Sequence, residues 1–235
     1  MYYNKLFGLR FLKKALEGIE GVSVVPYRVY VRPEDFKLNP FPNPDRFLIR
    51  GNLNGDIHEQ VWAVLPRDEV NCKDIRASEL EDELRRKMGV MRDKWIFKNF
   101  HSSVHEALDK FRTGAYPFKF IVHPLDSKEK YLFRGSISYF PGGTMRFHYS
   151  IKFREDVWRT VSEDIDPYGN RFLNVLNQRG EKVLTVLKKA SGRLKRIANA
   201  RGFLSKTDAW ESSFVVKKNG DVEFYDFLHK HEPLL

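Results

Sequence analysis

Two carboxylates near the C-terminus have the types and spacing to hold a divalent cation. The stretch WESSFVVKKNGDVEFYDFLHKHEP, residues 210 to 233, carries Glu211 and Asp226 on either side of Asn219-Gly220. Asn-Gly between two apolar runs is a hairpin signal, because a type I′ turn needs positive φ at both central residues. With that pair as the loop, Lys218 faces Asp221, Val216 faces Glu223 and Ser213 faces Asp226. Alternation then puts Glu211, Ser213 and Val215 on one face with Phe224, Asp226 and Leu228. Glu211 and Asp226 become diagonal neighbours, roughly 7–8 Å apart at the backbone, so both can reach one divalent ion. Two carboxylates that simply face water on a half-exposed sheet would give the same pattern.

Cations come next. Arg50 ends the apolar strand RFLI and is followed by Gly51-Asn52. A guanidinium held there, beside flexible backbone, can fork onto a phosphate. Lys5 lies one turn inside the first helix, near Gly8, a place where a lysine is commonly just solvated. His101 and His105 have the i, i+4 spacing of a helical metal pair, without an accompanying glutamate motif or cysteine cluster. Ser136, Ser138 and His148 offer a nucleophile and a base, without a GxSxG elbow. Lys188, Lys189, Arg193, Lys195 and Arg196 make a basic helix face, the best candidate for a nucleic-acid contact.

The elements that must position these groups are mixed. KLFGLRFLKKALEG (5–18) reads as an amphipathic helix closed by Gly18, and VSVVPYRVYV as one strand with Pro26 inside it. A loop follows, with Pro33, Pro40, Pro42 and Pro44. RFLIRG and HEQVWAVL read as strands, 77–92 as a charged surface helix and 103–112 as a shorter one. FKFIVHPL, KYLFRGSISYF and TMRFHYSIKF are three β-rich runs, and Gly142-Gly143 is their clearest turn. Residues 171–200 are helical, interrupted near Gly180, and Gly202 caps them. The order implies an α+β fold of antiparallel hairpins and flanking helices, in two lobes, 1–115 and 116–235.

Bulk properties narrow the partners. The 235 residues are 42% hydrophobic and 14% aromatic, the signature of a folded chain. A net charge of +10 calls for an anionic partner, whether nucleotide, phosphorylated metabolite or nucleic acid. The single cysteine, Cys72, rules out an intrachain disulfide framework and fits a reducing compartment. No apolar run of membrane-spanning length and no signal peptide is visible, so a cytoplasmic protein is expected.

Three stretches, in order, resemble the nucleotide-binding domain of phosphoenolpyruvate synthase and pyruvate phosphate dikinase. NKLFGLRFLKKALEGIEGVSVVPYRVYVRPEDF resembles the family's start, with Lys5, Leu9, Leu12 and Val25-Pro26 through Phe36 at its spacings. FLIRGNLNGD is similar to the family's strand ending in an arginine with an acidic residue six positions on, here Arg50 and Asp56. VLKKASGRLKRIANARGFLSKTDAWESSFVVKKNGDVEFYDF is similar to its last helix and metal-binding hairpin. The chain departs from the family at Tyr3-Asn4, where two glycines stand, at Gly51-Asn52, where serines stand, and at Asp226, where a glutamine stands.

The resemblance implies an ATP-grasp fold whose two lobes sandwich Mg-ATP. Lys5 and Arg50 would contact the phosphates, with Asp56 and Arg112 as further nucleotide contacts, and Glu211 and Asp226 would hold magnesium. The activity implied is ATP-dependent phosphotransfer, or ligation through an acyl phosphate. The family's phosphohistidine and pyruvate-binding domains have no counterpart in the sequence, so a partner protein or an unknown small substrate would supply the acceptor. The altered glycine and serine positions favour the other reading, a domain that has lost catalysis and binds nucleic acid or a protein through its basic surface.

Overall fold

The computed structural model describes residues 5–38, 41, 44–53, 68–72, 75–99, 105–106, 109, 113, 118–125, 131–139, 145–154, 157–164, 180–200 and 209–230. The chain forms two compact units: Met1–Leu6 with Pro26–Lys128, and Phe7–Val25 with Glu129–Leu235. It is an α+β protein, with helices lying on antiparallel and mixed sheets.

The first unit holds a sheet of four strands in the order β2-β5-β3-β4, all antiparallel. These are β2 (Arg28–Tyr30), β3 (Arg46–Leu53), β4 (Asp68–Asn71) and β5 (Phe118–Leu125). Helix α2 (Ala77–Asn99) buries Leu80, Leu84, Met88, Met91 and Trp95, a spacing that keeps one apolar stripe facing the sheet. That stripe meets Phe47 and Ile49 of β3, Phe120 and Val122 of β5, and Phe36, which follows a short 3-10 turn at Pro33–Asp35. Phe36 and Phe47 meet edge to face at 6.1 Å.

The second unit holds six strands in the order β1-β10-β9-β6-β7-β8. They are β1 (Val22–Val24), β6 (Tyr131–Tyr139), β7 (Met145–Arg154), β8 (Val157–Asp164), β9 (Ala209–Lys217) and β10 (Val222–Lys230). Only β1 and β10 run parallel. Helix α3 (Gly180–Ala200) lies against β10 through a buried stripe of Val183, Val186, Leu187, Ala190 and Leu194. Helix α1 (Lys5–Leu16) reaches the same strand, its Phe11 ring 4.5 Å from Phe227. A Cβ on Gly8 would stand 2.3 Å from the Phe227 carbonyl oxygen, so only glycine allows this approach of helix to strand.

Several sequence expectations change. VSVVPYRVYV is not one strand: β1 and β2 enter different sheets, with Pro26 between them. A proline has no N–H to give a ladder, so the run divides there. Helix 77–92 continues to Asn99, and β4 and β8 add strands that the reading omitted. The residue 58–65 strand, most of the 103–112 helix, residues 171–179, Gly142-Gly143, Pro40, Pro42 and Gly202 lie outside the described residues.

Candidate functional site

The C-terminal hairpin does not form the expected two-residue turn. Gly220 N–H donates to the Lys217 carbonyl at 2.9 Å and Lys217 N–H to the Asp221 carbonyl at 2.8 Å, enclosing three residues, 218–220. Gly220 sits at φ 87°, the left-handed position of such a loop. Asn219 closes it by accepting the Asp221 N–H on Oδ1 at 3.0 Å. The register therefore starts one residue away from expectation: Val216 pairs with Val222, not Glu223, and Lys217, not Lys218, faces Asp221.

A bulge at Tyr225 then restores the expected register. Beyond it Ser213 pairs with Asp226 and Glu211 with Leu228. Glu211 and Asp226 are diagonal neighbours on one face, as the sequence implied. Phe224 is not on that face: it pairs with Phe214 and is buried in the core, and Glu223, opposite Val215, takes its place. Alternation divides the faces along β9. Trp210, Ser212, Phe214 and Val216 are buried with Val222, Phe224 and Phe227, while Glu211, Ser213 and Val215 are half-buried.

The carboxylate face is rich in oxygen. Ser138 of β6 faces Glu211 across the ladder, and its Oγ donates to Glu211 Oε2 at 3.5 Å. Ser136 faces Ser213 in the next row. Asp226 is 4% exposed. Glu223 is already engaged, since Lys217 Nζ donates to its Oε2 at 2.9 Å and Ser23 Oγ at 3.5 Å. Two oxygen ligands with hydroxyl neighbours fit magnesium, which takes one or two carboxylates and completes its shell with water and phosphate oxygens. Among the described residues no group of three His, Cys, Asp or Glu side chains is placed to hold a metal.

On the opposite face, Tyr139 and Ser212 hydroxyls meet at 3.1 Å. Burial pushes the Tyr139 phenol up to about 12, against the pull of the Ser212 and Ser191 hydroxyls. This pair belongs to the core and leaves the carboxylates alone.

In the first unit, Arg50 does not end its strand in solvent. β3 runs on to Leu53, and Arg50 is 7% exposed on the face opposite α2. Leu48 faces His123 and Arg50 faces Ile121, so Arg50 and His123 are diagonal neighbours on that face. His123 is 1% exposed, and its Nδ1 lies 3.2 Å from the Pro26 carbonyl. Burial, then the Arg50 charge, hold His123 down to about 3 against the pull of the Pro26 carbonyl, with Lys5 adding to the depression. Lys5 is half-buried at the start of α1. Lys5, Arg50 and His123 thus form one basic cluster. Sequence reading missed the histidine, although a lone His in the apolar run FKFIVHPL, two positions after Ile121, carried the signal.

Other candidates separate. Asp56, Arg112 and His101 lie outside the described residues. His105 is exposed. Ser136 and His148 are cross-strand partners in register. On α3, Lys189 and Arg196 are exposed, while Arg193 donates to the Glu17 carbonyl at 2.8 Å. Burial pushes the Cys72 thiol up to about 11, so it is no nucleophile at neutral pH. Among the described residues no helix is long and apolar enough to cross a membrane.

Neither a family model nor a curated protein matches the chain. Solved structures resemble it over nearly its whole length. An ADP complex of N5-carboxyaminoimidazole ribonucleotide synthetase aligns at TM-score 0.47 and 12% identity, covering 98% of this chain and 45% of that one. An L-amino acid ligase from Bacillus licheniformis gives 0.46 and 11%, covering 94% and 42%. The ATP-grasp ligase PsnB, complexed with a minimal precursor, gives 0.43 and 9%, covering 98% and 52%. This chain spans about half the length of these proteins or less.

Proposed function

We propose that the protein is an ATP-grasp-type binder of Mg-ATP. Lys5 and Arg50 hold phosphate oxygens, and Glu211 with Asp226 holds the magnesium. The observation that carries this reading is the hairpin register: a loop and a bulge that offset one another keep the two carboxylates on the same face of β9 and β10. The buried Arg50 supports the phosphate half, since a guanidinium offers a fixed fork of donors to an oxyanion. Magnesium, when bound, neutralises charge on the phosphate oxygens. The chain's own cations share that task and orient the phosphates.

The reaction read from this constellation is ATP-dependent phosphoryl transfer of the phosphoenolpyruvate-synthase kind, or ligation through an acyl phosphate. The acceptor is a small substrate or a group on a partner protein. Equilibrium binding of ATP to the purified protein, with magnesium or with EDTA, tests the first step. Magnesium-dependent affinity that Arg50→Met lowers is the expected result. Affinity for nucleic acid that falls steeply with salt, with no response to ATP, would replace this reading by one in which the exposed cations of α3 bind nucleic acid.

A further inference from the structure

His123 has no role in the binding scheme above, yet its surroundings are those of a working group. It is buried at 1% exposure, and its Nδ1 is committed to the Pro26 carbonyl at 3.2 Å. With Nδ1–H donating there, Nε2 carries a lone pair, and it has no hydrogen-bond partner among the described residues. Burying an acceptor to which nothing donates is a standing cost to the fold. Arg50 from β3 and Lys5 from α1 are the charged groups that act on the ring, and the Tyr27 ring lies 6.3 Å away, centroid to centroid. Burial opposes protonation most, and both charges add to it, which accounts for a histidine that stays neutral far below its ordinary range.

An arriving oxyanion removes the electrostatic part of that opposition and supplies a hydrogen-bond partner to offset the rest. Its charge offsets the two cations, and a protonated Nε2 gains an acceptor. We propose that His123 is the third member of the Lys5–Arg50 oxyanion site and takes up a solvent proton on Nε2 as a phosphate or sulfate group binds. The new Nε2–H then donates to an oxygen of the anion, and release of the anion returns the proton to solvent. The inference rests on the phosphate reading of Lys5 and Arg50, and it makes anion binding tighten as pH falls.

Sulfate is a clean probe, because its own charge is constant between pH 5.5 and 7.5. The dissociation constants of sulfate and of ATP are measured across that range for the full chain and for His123→Gln. If bound His123 returns to its ordinary pKa near 6.5, wild-type affinity for sulfate rises about tenfold from pH 7.5 to 5.5. The variant binds with a flat profile. Wild-type protein labelled with ¹⁵N-histidine gives an independent readout if the variant does not fold: at pH 5.5, sulfate should convert one Nε2 resonance from unprotonated to protonated. Sulfate and ATP binding with no such conversion and the same pH profile in both proteins would overturn the role of His123 and leave Lys5 and Arg50 standing. Failure of the folded wild type to bind either anion would overturn both.

Discussion

The two sheets bury ionisable groups of opposite kind on comparable faces, an arginine beside a neutral histidine in one and two acidic residues in the other. In the four-stranded sheet, the face away from α2 hides Arg50 and His123 at 7% and 1% exposure. In the six-stranded sheet, the face away from the aromatic core hides Glu223 and Asp226 at 7% and 4%. Each sheet is held by its other, apolar face, where Phe47, Ile49, Phe120 and Val122 serve one and Trp210, Phe214, Phe224 and Phe227 the other. Buried charge rarely adds stability over apolar packing of the same volume. The comparison teaches that the aromatic packing lies on one face of each sheet while the buried ionisable groups lie on the other, and we propose that those groups serve an oxyanion in one unit and a metal in the other.

The sharpest way to break this division is to exchange the faces' burdens. Phe214→Ala, on the core face of β9, should cost about 3–5 kcal/mol in urea unfolding. Ser213→Ala, its neighbour on the carboxylate face, should stay within about 0.5 kcal/mol. Equal costs would abolish the distinction between the faces.

Next in size is acid stability. Folded His123 titrates at about 3, well below its ordinary 6.5, so between these values the unfolded chain binds the extra proton. Its contribution to stability is complete above about pH 6.5 and is lost as pH falls towards 3. At full extent this is roughly a few kcal/mol. His123→Gln should flatten that limb of the curve, and an unchanged acid limb would show that the imidazole is not held neutral.

A smaller change is expected for the cation in the phosphate role. Arg50→Met should weaken ATP about 10–100-fold, the loss of a charge-assisted hydrogen bond of ~1.5–3 kcal/mol. Arg46→Met, an exposed arginine on the same strand, should leave affinity unchanged. Smaller still, Tyr139→Phe removes the hydroxyl that meets Ser212 and should cost about 1 kcal/mol of stability, with nucleotide affinity intact.

Asn219-Gly220 and the alternation around it made the carboxylate pair legible in sequence, although the turn itself differs. The three-residue loop moves the register by one, the Tyr225 bulge moves it back, and Ser213 still faces Asp226. Between those two irregularities the reading had the wrong side chains on the wrong faces, which is why Glu223 was missed and Phe224 misplaced. A bulge has no residue signature as plain as a turn's, so it shows only in the ladder. Helix α1 was legible because its apolar stripe is regular, whereas α2 reads from its charges as a surface helix, and its stripe of Leu80, Leu84, Met88, Met91 and Trp95 is buried instead. The separation of β1 from β2 was not, since one continuous apolar run serves two sheets. The basic cluster was half legible: Lys5 and Arg50 came from resemblance and strand position, while His123 joins them through a cross-strand diagonal that pairs residues 73 positions apart, a separation that no local pattern spans.

The central claim is that the Glu211 and Asp226 carboxylates hold magnesium on bound ATP. It is tested most directly by the thermal stability of the wild type and Glu211→Ala, each with ATP plus magnesium or ATP plus EDTA. At about a hundred times its dissociation constant, a ligand should stabilise the native state by roughly 2.7 kcal/mol. The account predicts a rise in melting temperature for the wild type that requires magnesium and is lost in Glu211→Ala. A rise of the same size in both proteins, or one indifferent to EDTA, would contradict it.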